Sequence, residues 1–323
     1  MAEIVRMRAP GGVEQLELAT VDLAPPASGE VRLRQTAVGV NFIDIYQRLG
    51  LYALPPGTSP GVEAVGVVAA IGGDVTNLRI GDRVIYAGTL GGAYASERNL
   101  PAWRCVRLPE AVSDEVAAST FLKGMTAEML LTRVFRVGEG TTVLVHSAAG
   151  GVGQLLTRWA NALGAMVIGA VSSEAKAEIA RAAGARHVVV GRSVDFVSAI
   201  ADLTHGRGVD VAYDGVGGTT LHKTLGCVRP FGVVASIGQA GGPIPQIDVN
   251  DLGPRRSLML ARPSIMGHMT DADEYRRSAA RMLEALTSGV LQMSGTAYRL
   301  RDVAQAQADL EAGRTTGALY LKP

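Results

Sequence analysis

The chain has 323 residues, 47% of them hydrophobic and 19% charged, with a formal net charge of +1. That length exceeds what one core usually fills, so two domains are expected, and the near balance of charge argues against nucleic acid, a membrane surface or a polyanionic partner. Two cysteines, Cys105 and Cys227, lie far apart and outside any CxxC spacing, which excludes a cysteine-rich zinc site and a disulfide framework.

The N-terminus from Met1 to Pro10 is charged and lacks an apolar core, and no run of about twenty apolar residues occurs, which predicts a cytoplasmic protein. From Met1 to about Leu122 the pattern favours strands. Val31-Arg32-Leu33-Arg34 alternates, Gly61 to Gly73 is a β-branched run bounded by glycines, and Gly81-Asp82 turns into Val84-Ile85-Tyr86. Helical periodicity is scarce in this part. The cluster Leu54 to Gly61, LPPGTSPG, reads as a surface loop that shapes a cleft beside the tyrosines preceding it.

After Ser113 the texture changes. An acidic start leads into a helical composition from Ala117 to Val134, and strands and helices then alternate to about Ser264, which predicts a parallel sheet. The strand-length runs are Val143 to Val145, Met166 to Val171, His187 to Val190, Val209 to Tyr213 and Val233 to Ile237, with Ala-rich helical segments between them. Asp271 to Ser288 reads as an amphipathic helix with Tyr275, Met282, Leu283 and Leu286 at helical spacing.

The first of these strands runs into Ser147-Ala148-Ala149-Gly150-Gly151-Val152-Gly153, and Val152, Leu155, Leu156 and Trp159 then recur at helix spacing. Strand, glycine turn and helix make a dinucleotide site: Gly150 lets backbone approach a diphosphate, Gly153 lets helix and strand pack, and the helix N-terminus supplies free N–H groups. Ala148 stands at the first position of the GxGxxG pattern, so the bare motif is an imperfect match, and a glycine turn without a ligand is the bland alternative. The next strand ends in Ser172-Ser173, with no acid where an NAD site carries one for the ribose hydroxyl. Lys176 and Arg192 follow at positions suited to a 2′-phosphate, so NADPH is expected over NADH, with Glu174 as the residue most at odds with that choice.

Several separated segments carry a resemblance over essentially the whole chain. They are Gly39-Val40-Asn41-Phe42-Ile43-Asp44, Gly61-Val62-Glu63, Gly81-Asp82-Arg83-Val84, Gly92-Ala93-Tyr94-Ala95, Phe121-Leu122-Lys123-Gly124-Met125-Thr126, His146 to Gly153, and Arg262-Pro263-Ser264. The chain resembles the quinone oxidoreductase (zeta-crystallin-like) branch of the zinc-free medium-chain dehydrogenase/reductase superfamily. The resemblance implies an α/β fold: a GroES-like β-rich catalytic domain from residues 1–122 and 263–323, and a Rossmann-like doubly wound parallel sheet at 123–262 that binds NADPH. It also implies no metal, and the residues agree: Asn41 and Val62 stand where related alcohol dehydrogenases place a Cys and a His, and zinc favours thiolate and imidazole.

Carried over by position, Asn41, Phe42, Asp44, Tyr46 and Tyr52 line the cleft beside the nicotinamide. The two tyrosines touch the substrate, and Asp44 acts as an organiser. Phenol rings can stack on a planar quinone while their hydroxyls donate to its oxygens, although without the resemblance two tyrosines beside a Pro/Gly loop read more readily as packing residues. Lys123 and Thr126 fall in a matching segment on the cofactor side. Gly150, Gly151 and Val152 match the diphosphate positions; Ser172, Ser173 and Lys176 the 2′-phosphate positions; Ile237, Gly238 and Gln239 the nicotinamide side; Pro263 and Ser264 close over it. Gly191 replaces a Tyr that relatives carry at the adenosine end, and Met129 replaces a second, so Arg192 is expected to compensate.

His146, His187, His205, His222 and His268 have no metal-ligand spacing and read as structural, and Ser147 belongs to no GxSxG elbow. The resemblance thus implies transfer of reducing equivalents from NADPH to a quinone or other electron-poor acceptor. Reduction of activated C=C bonds, as in enoyl or alkenal reductases, is the enzymatic alternative, and an NADPH-sensing RNA-binding or structural protein the alternative of another class. A homodimer is implied through the sheet edge near Ser257 to Ala261, where Leu258-Met259-Leu260 fits an internal strand as well.

Overall fold

The computed structural model describes residues 1–323 except Pro55, Pro56 and Arg255, so those two prolines of the LPPGTSPG loop lie outside the described residues. The chain forms two compact units. One comprises Met1–Met125, Met266–Thr287 and Met293–Pro323; the other comprises Thr126–Ile265 and Ser288–Gln292.

In chain order the elements begin with strands β1 (Ala2–Met7), β2 (Leu16–Val21) and β3 (Glu30–Val40), then helix α1 (Phe42–Arg48). Strands β4 (Glu63–Ile71), β5 (Arg83–Ala87), β6 (Glu97–Pro101) and β7 (Val106–Arg107) lead to α2 (Asp114–Met129). Alternation follows: β8 (Thr142–His146), α3 (Gly151–Ala162), β9 (Met166–Val171), α4 (Glu174–Ala182), β10 (His187–Val190), α5 (Phe196–Leu203), β11 (Val209–Asp214), α6 (Gly218–Leu225), β12 (Val228–Ser236), α7 (Val249–Leu252) and β13 (Met259–Ala261). The chain closes with α8 (Ile265–His268), α9 (Ala272–Thr287), β14 (Gly295–Arg299), α10 (Val303–Glu311) and β15 (Ala318–Lys322).

The first unit is built on a sheet of order β14-β15-β3-β4-β5-β7, with β6 also paired to β3. The long β3 is its spine. Val31 and Leu33 alternate inward and are fully buried, as the sequence pattern requires, and Val68, Val84, Tyr86, Leu319 and Leu321 close the same core. Among the described residues the one α-helix inside this strand-rich stretch, α1, is only seven residues long, too short to register as periodicity. In α9, Tyr275, Met282 and Leu283 are buried on one face.

The second unit is a parallel sheet of order β10-β9-β8-β11-β12-β13. This is the doubly wound Rossmann-like arrangement, and the strand order reverses between β8 and β11, so ligands are expected beyond the carboxyl ends of those strands. β12 begins at Val228, five residues before the apolar run predicts, because Arg229-Pro230-Phe231-Gly232 interrupts the hydrophobic pattern without ending the strand. The interruption is a bulge: partners shift from Val209↔Val228 to Val211↔Val233, and Phe231 sits at φ 59°. Among the described residues, no helix is long and apolar enough to cross a membrane.

After α2 the helix widens into a π turn at Leu130–Val134. The Leu130 carbonyl there receives the Tyr213 hydroxyl at 3.0 Å as well as the Phe135 amide at 3.2 Å. Tyr213→Phe, which removes the hydroxyl from a fully buried position, is expected to lower unfolding free energy by about 1 kcal/mol. Urea unfolding checks this; an unchanged midpoint would mean that the bond contributes nothing.

Candidate functional site

In the first unit β3 delivers the chain to Asn41, which caps α1, and residues from the quoted segments 39–44, 61–63, 92–95 and 121–126 meet there. Lys123, buried on α2, donates from Nζ to Asn41 Oδ1 at 2.7 Å and to the Val40 carbonyl at 3.3 Å. Its counter-charge is Glu63, whose Oε1 lies 3.8 Å from that nitrogen. Asn41 donates its own amide hydrogen to Glu63 Oε1 at 2.8 Å, and the Leu122 N–H occupies Oε2 at 2.8 Å. Burial raises the Glu63 carboxyl above its ordinary range and lowers the Lys123 ammonium below its own, each opposed by the other's charge. Gly39 has a reason to lack a side chain: a Cβ there would fall 2.2 Å from Glu63 Oε1.

Asp44 forms the second part of this network. Its Oδ2 accepts the Asn41 N–H at 2.8 Å, one half of a capping box, and the Tyr94 hydroxyl at 2.8 Å. Asp44 is fully buried, and burial pushes its carboxyl up to about 7. Glu63 adds to the rise, while Lys123 and the two hydrogen bonds oppose it. Tyr94 is raised well above the ordinary phenol range by the same burial and by Asp44 itself.

The aromatic residues of α1 cluster beside this network. Tyr46 is buried, 6.1 Å from the Phe42 ring and 5.5 Å from Tyr52 in an edge-on contact. Tyr52 is 42% exposed, so of the two tyrosines it presents the larger face to an incoming molecule.

In the second unit the expected cofactor residues gather at the carboxyl ends of the strands. Gly150 precedes α3, and no side chain caps that helix, so the amides of its first turn, Gly151, Val152 and Gly153, lie without intrahelical acceptors. A Cβ on Gly153 would sit 2.3 Å from the Ser147 carbonyl oxygen, which is why helix and turn pack only with glycine there. Strand β9 ends at Val171, and Ser172 and Ser173 follow, with Ser173 before the first turn of α4 and its side chain unused as a cap. Gly191 donates to the Val171 carbonyl at 2.9 Å with φ 126°, which brings Arg192 to the end of the strand next to those serines. Glu174 pairs with Arg181 at 2.7 Å, and Lys176 is half-buried on the same helix.

Ile237, Gly238 and Gln239 leave β12 against the end of β11, where Ile237 N–H reaches the Asp214 carbonyl at 2.8 Å. Pro263 and Ser264 follow the edge strand β13, next to Arg262, which donates to Ser236 Oγ at 2.8 Å. Thr126 is half-buried on α2.

Sequence reasoning missed Asp214 and Thr224. Asp214 Oδ1 accepts the Val216 and Gly217 amides at 2.8 and 2.9 Å, fixing the glycine turn after β11. Thr224 Oγ1 lies 2.8 Å from Asp214 Oδ2 and 2.9 Å from His146 Nε2. The carboxylate takes the threonine hydrogen, so His146 Nε2 carries the hydrogen that points at Thr224. His146 is buried, its basicity lowered by burial against the pull of Asp214, with Phe196 edge-on at 5.0 Å. It is a buried, hydrogen-bonded histidine.

A model described as alcohol dehydrogenase GroES-like domain matches residues 27–110, and one described as zinc-binding dehydrogenase matches 151–285. The chain is 38% identical over 329 residues to the quinone oxidoreductase of Salmonella typhimurium, all of both chains being covered. It belongs to the quinone oxidoreductase branch of the medium-chain dehydrogenases/reductases. It is also 39% identical to a 2-haloacrylate reductase of Burkholderia sp, covering 100% of this chain and 99% of that one. Among solved structures, the quinone oxidoreductase of Pseudomonas syringae superposes with TM-score 0.97 at 39% identity, and that of Escherichia coli, complexed with NADPH, with 0.96 at 36%; both comparisons cover 100% of each chain. Among the described residues no group of three or more His, Cys, Asp or Glu side chains is gathered to hold a metal ion.

The raised Asp44 carboxyl has a consequence for stability. The folded protein keeps this proton up to about pH 7, whereas the unfolded chain releases it near 3.8, so the folded state is favoured below that window and loses the advantage as pH rises through it. Relative to Asp44→Asn, the wild type should therefore lose roughly 1.4 kcal/mol of stability per pH unit across the window. Urea unfolding of both proteins at several pH values checks this, and a constant difference would place the Asp44 proton elsewhere.

Proposed function

We propose that the protein is an NADPH-dependent reductase that passes reducing equivalents to a quinone without a metal. The observation that carries the reading is the uncapped start of α3 beside the carboxylate-free end of β9. A diphosphate needs N–H donors and room for close approach; the amides of Gly151 to Gly153 supply the donors and Gly150 the room. A 2′-phosphate needs hydroxyls and cations without a fixed anion. Ser172, Ser173, Lys176 and Arg192 supply these, while Glu174, the carboxylate suited to a ribose hydroxyl, is engaged by Arg181.

When bound, the nicotinamide supplies hydride chemistry. The chain's own residues do the rest: Ile237 to Gln239 and Pro263-Ser264 orient the cofactor, Tyr46 and Tyr52 offer ring faces and hydroxyls to a planar acceptor, and Asn41 and Asp44 hold α1 in place. The metal-free reading rests on charge as well as ligand type. Asn41 and Val62 offer zinc neither thiolate nor imidazole, and the Lys123 ammonium, 2.7 Å from Asn41 Oδ1, would repel a second cation. A second reading, reduction of an activated C=C bond, is favoured by the 2-haloacrylate reductase among the relatives. The homodimer is proposed through β13, which pairs only with β12 among the described residues and leaves Met259 51% exposed.

Initial rates across an acceptor panel test the proposal. NADPH should be preferred to NADH, Arg192→Ala should raise the NADPH Michaelis constant roughly 10-fold, the loss of about one charged hydrogen bond, and 1,4-benzoquinone should outpace crotonyl thioester and 2-alkenals. A chelator should change nothing. Equal use of NADH would overturn the cofactor, a wide preference for alkenals the acceptor, and chelator sensitivity the metal-free mechanism.

A further inference from the structure

An exposed apolar side chain is ordinary when it stands alone. In the first unit four large ones, Leu49, Leu51, Tyr52 and Leu90, gather instead at the C-terminal end of α1 and a loop bonded to it, with Leu51 53% and Leu90 70% exposed. The backbone brings them together. The Leu51 and Tyr52 amides both donate to the Tyr46 carbonyl, at 2.9 and 3.2 Å, which turns the chain back onto the helix. Gln47, the next residue of α1, donates from Nε2 to the Leu90 carbonyl at 3.3 Å. On the other side of Leu90, a Cβ at Gly91 would stand 3.0 Å from Leu54 Cδ2, and the Gly92 N–H reaches the Ser59 carbonyl at 2.5 Å. The path from Tyr52 through Tyr46, Gln47, Leu90 and Gly91 to Leu54 thus returns to within two residues of its start.

Both parts of this rim are fixed. Arg48, wholly buried, donates to Gln307 Oε1 on α10 at 2.8 Å and to the Gly11 carbonyl at 2.9 Å, which holds the end of α1. Arg98 Nη1 holds the loop, donating to the Gly91 carbonyl at 2.9 Å and to Thr89 Oγ1 at 3.3 Å. Leu90 is therefore presented to water by backbone bonded on each side of it, and a fixed apolar surface gains free energy only when something apolar covers it. Leu51, Leu54 and Leu90 offer neither charge nor hydrogen bond, so a charged group would lose its hydration there without a partner. Tyr52 belongs to the rim and is also a ring that meets the acceptor in the reductase reading, on which this inference rests.

We propose that the rim takes an unbranched hydrocarbon chain carried by the acceptor, so that the protein selects alkyl-substituted quinones over bare ones. The quinone ring lies against Tyr52 and its chain runs along Leu51, Leu54 and Leu90, which set specificity and take no part in electron transfer.

Initial rates with a homologous series of 2-alkyl-1,4-benzoquinones, methyl to pentyl, kept below the concentrations at which the longer members aggregate, test this. Chain length changes the electron affinity of the ring little, so kcat/KM reports contact with the chain. Full burial of a methylene is worth about fourfold; a chain covered on one side should gain about twofold for each, or roughly 16-fold from methyl to pentyl. With Leu51→Asn and Leu90→Asn combined, the pentyl-to-methyl ratio should fall to about 4. Ile80→Asn, a change at an exposed residue of the turn before β5, should keep the wild-type ratio. A combined variant that keeps the ratio, or an Ile80→Asn that loses it, would overturn the placement of the chain. Turnover with a flat series in the wild type sinks the chain-binding rim alone, whereas no turnover of any member sinks the reductase reading with it.

Discussion

The candidate site of the first unit depends on one interaction, a buried ammonium held against a buried carboxylate. Lys123 and Glu63 have lost water, and neither charge is tolerable without the other and the hydrogen bonds that complete their shells. That demand reaches into the sequence at several places. Gly39 is bare so that the Glu63 carboxyl can pass, Asn41 donates to one partner and accepts from the other, and the backbone turns from β3 into α1 where those contacts require. Because α1 also carries Asp44, Phe42 and Tyr46, the ion pair fixes the helix on which these side chains stand.

The second unit answers a different constraint, the need to present backbone donors without side chains. Its means are glycines placed where close approach demands them and a buried carboxylate, Asp214, that ties down the turn after β11. Thr224 completes that carboxylate's shell and is itself bonded to His146, so a polar cluster holds the turn after β11 in addition to the backbone bonds that Ile237, Ala240 and Gly241 make to it. The same unit keeps Glu174 occupied by Arg181, leaving the serines after β9 beside cations.

Much of this was legible in the sequence because strand and glycine signals are local. Met166 to Val171 and His187 to Val190 match β9 and β10, and the turn after β8 is where Gly150 to Gly153 put it. The failures have physical causes. β12 starts earlier than its apolar run because a bulge at Phe231 tolerates a Pro and a Gly without ending the pairing. Glu63 and Tyr94 stood inside quoted segments without an assigned role, since a buried acid and a buried phenol look in sequence like any surface acid and any core ring. Gln307 had no signal at all: its partners are Arg48 and Tyr94, hundreds of positions away along the chain, and only the packing of α10 against α1 brings them together.

Lys123 and Glu63 stabilise each other rather than occupying neighbouring positions by chance. A double-mutant cycle measures this directly: unfolding free energies of the wild type, Lys123→Met, Glu63→Gln and the double variant, taken in urea at one pH near neutrality. Each single change should cost about 3–5 kcal/mol by stranding the other charge, and the double change much less than their sum. Strictly additive costs would contradict it.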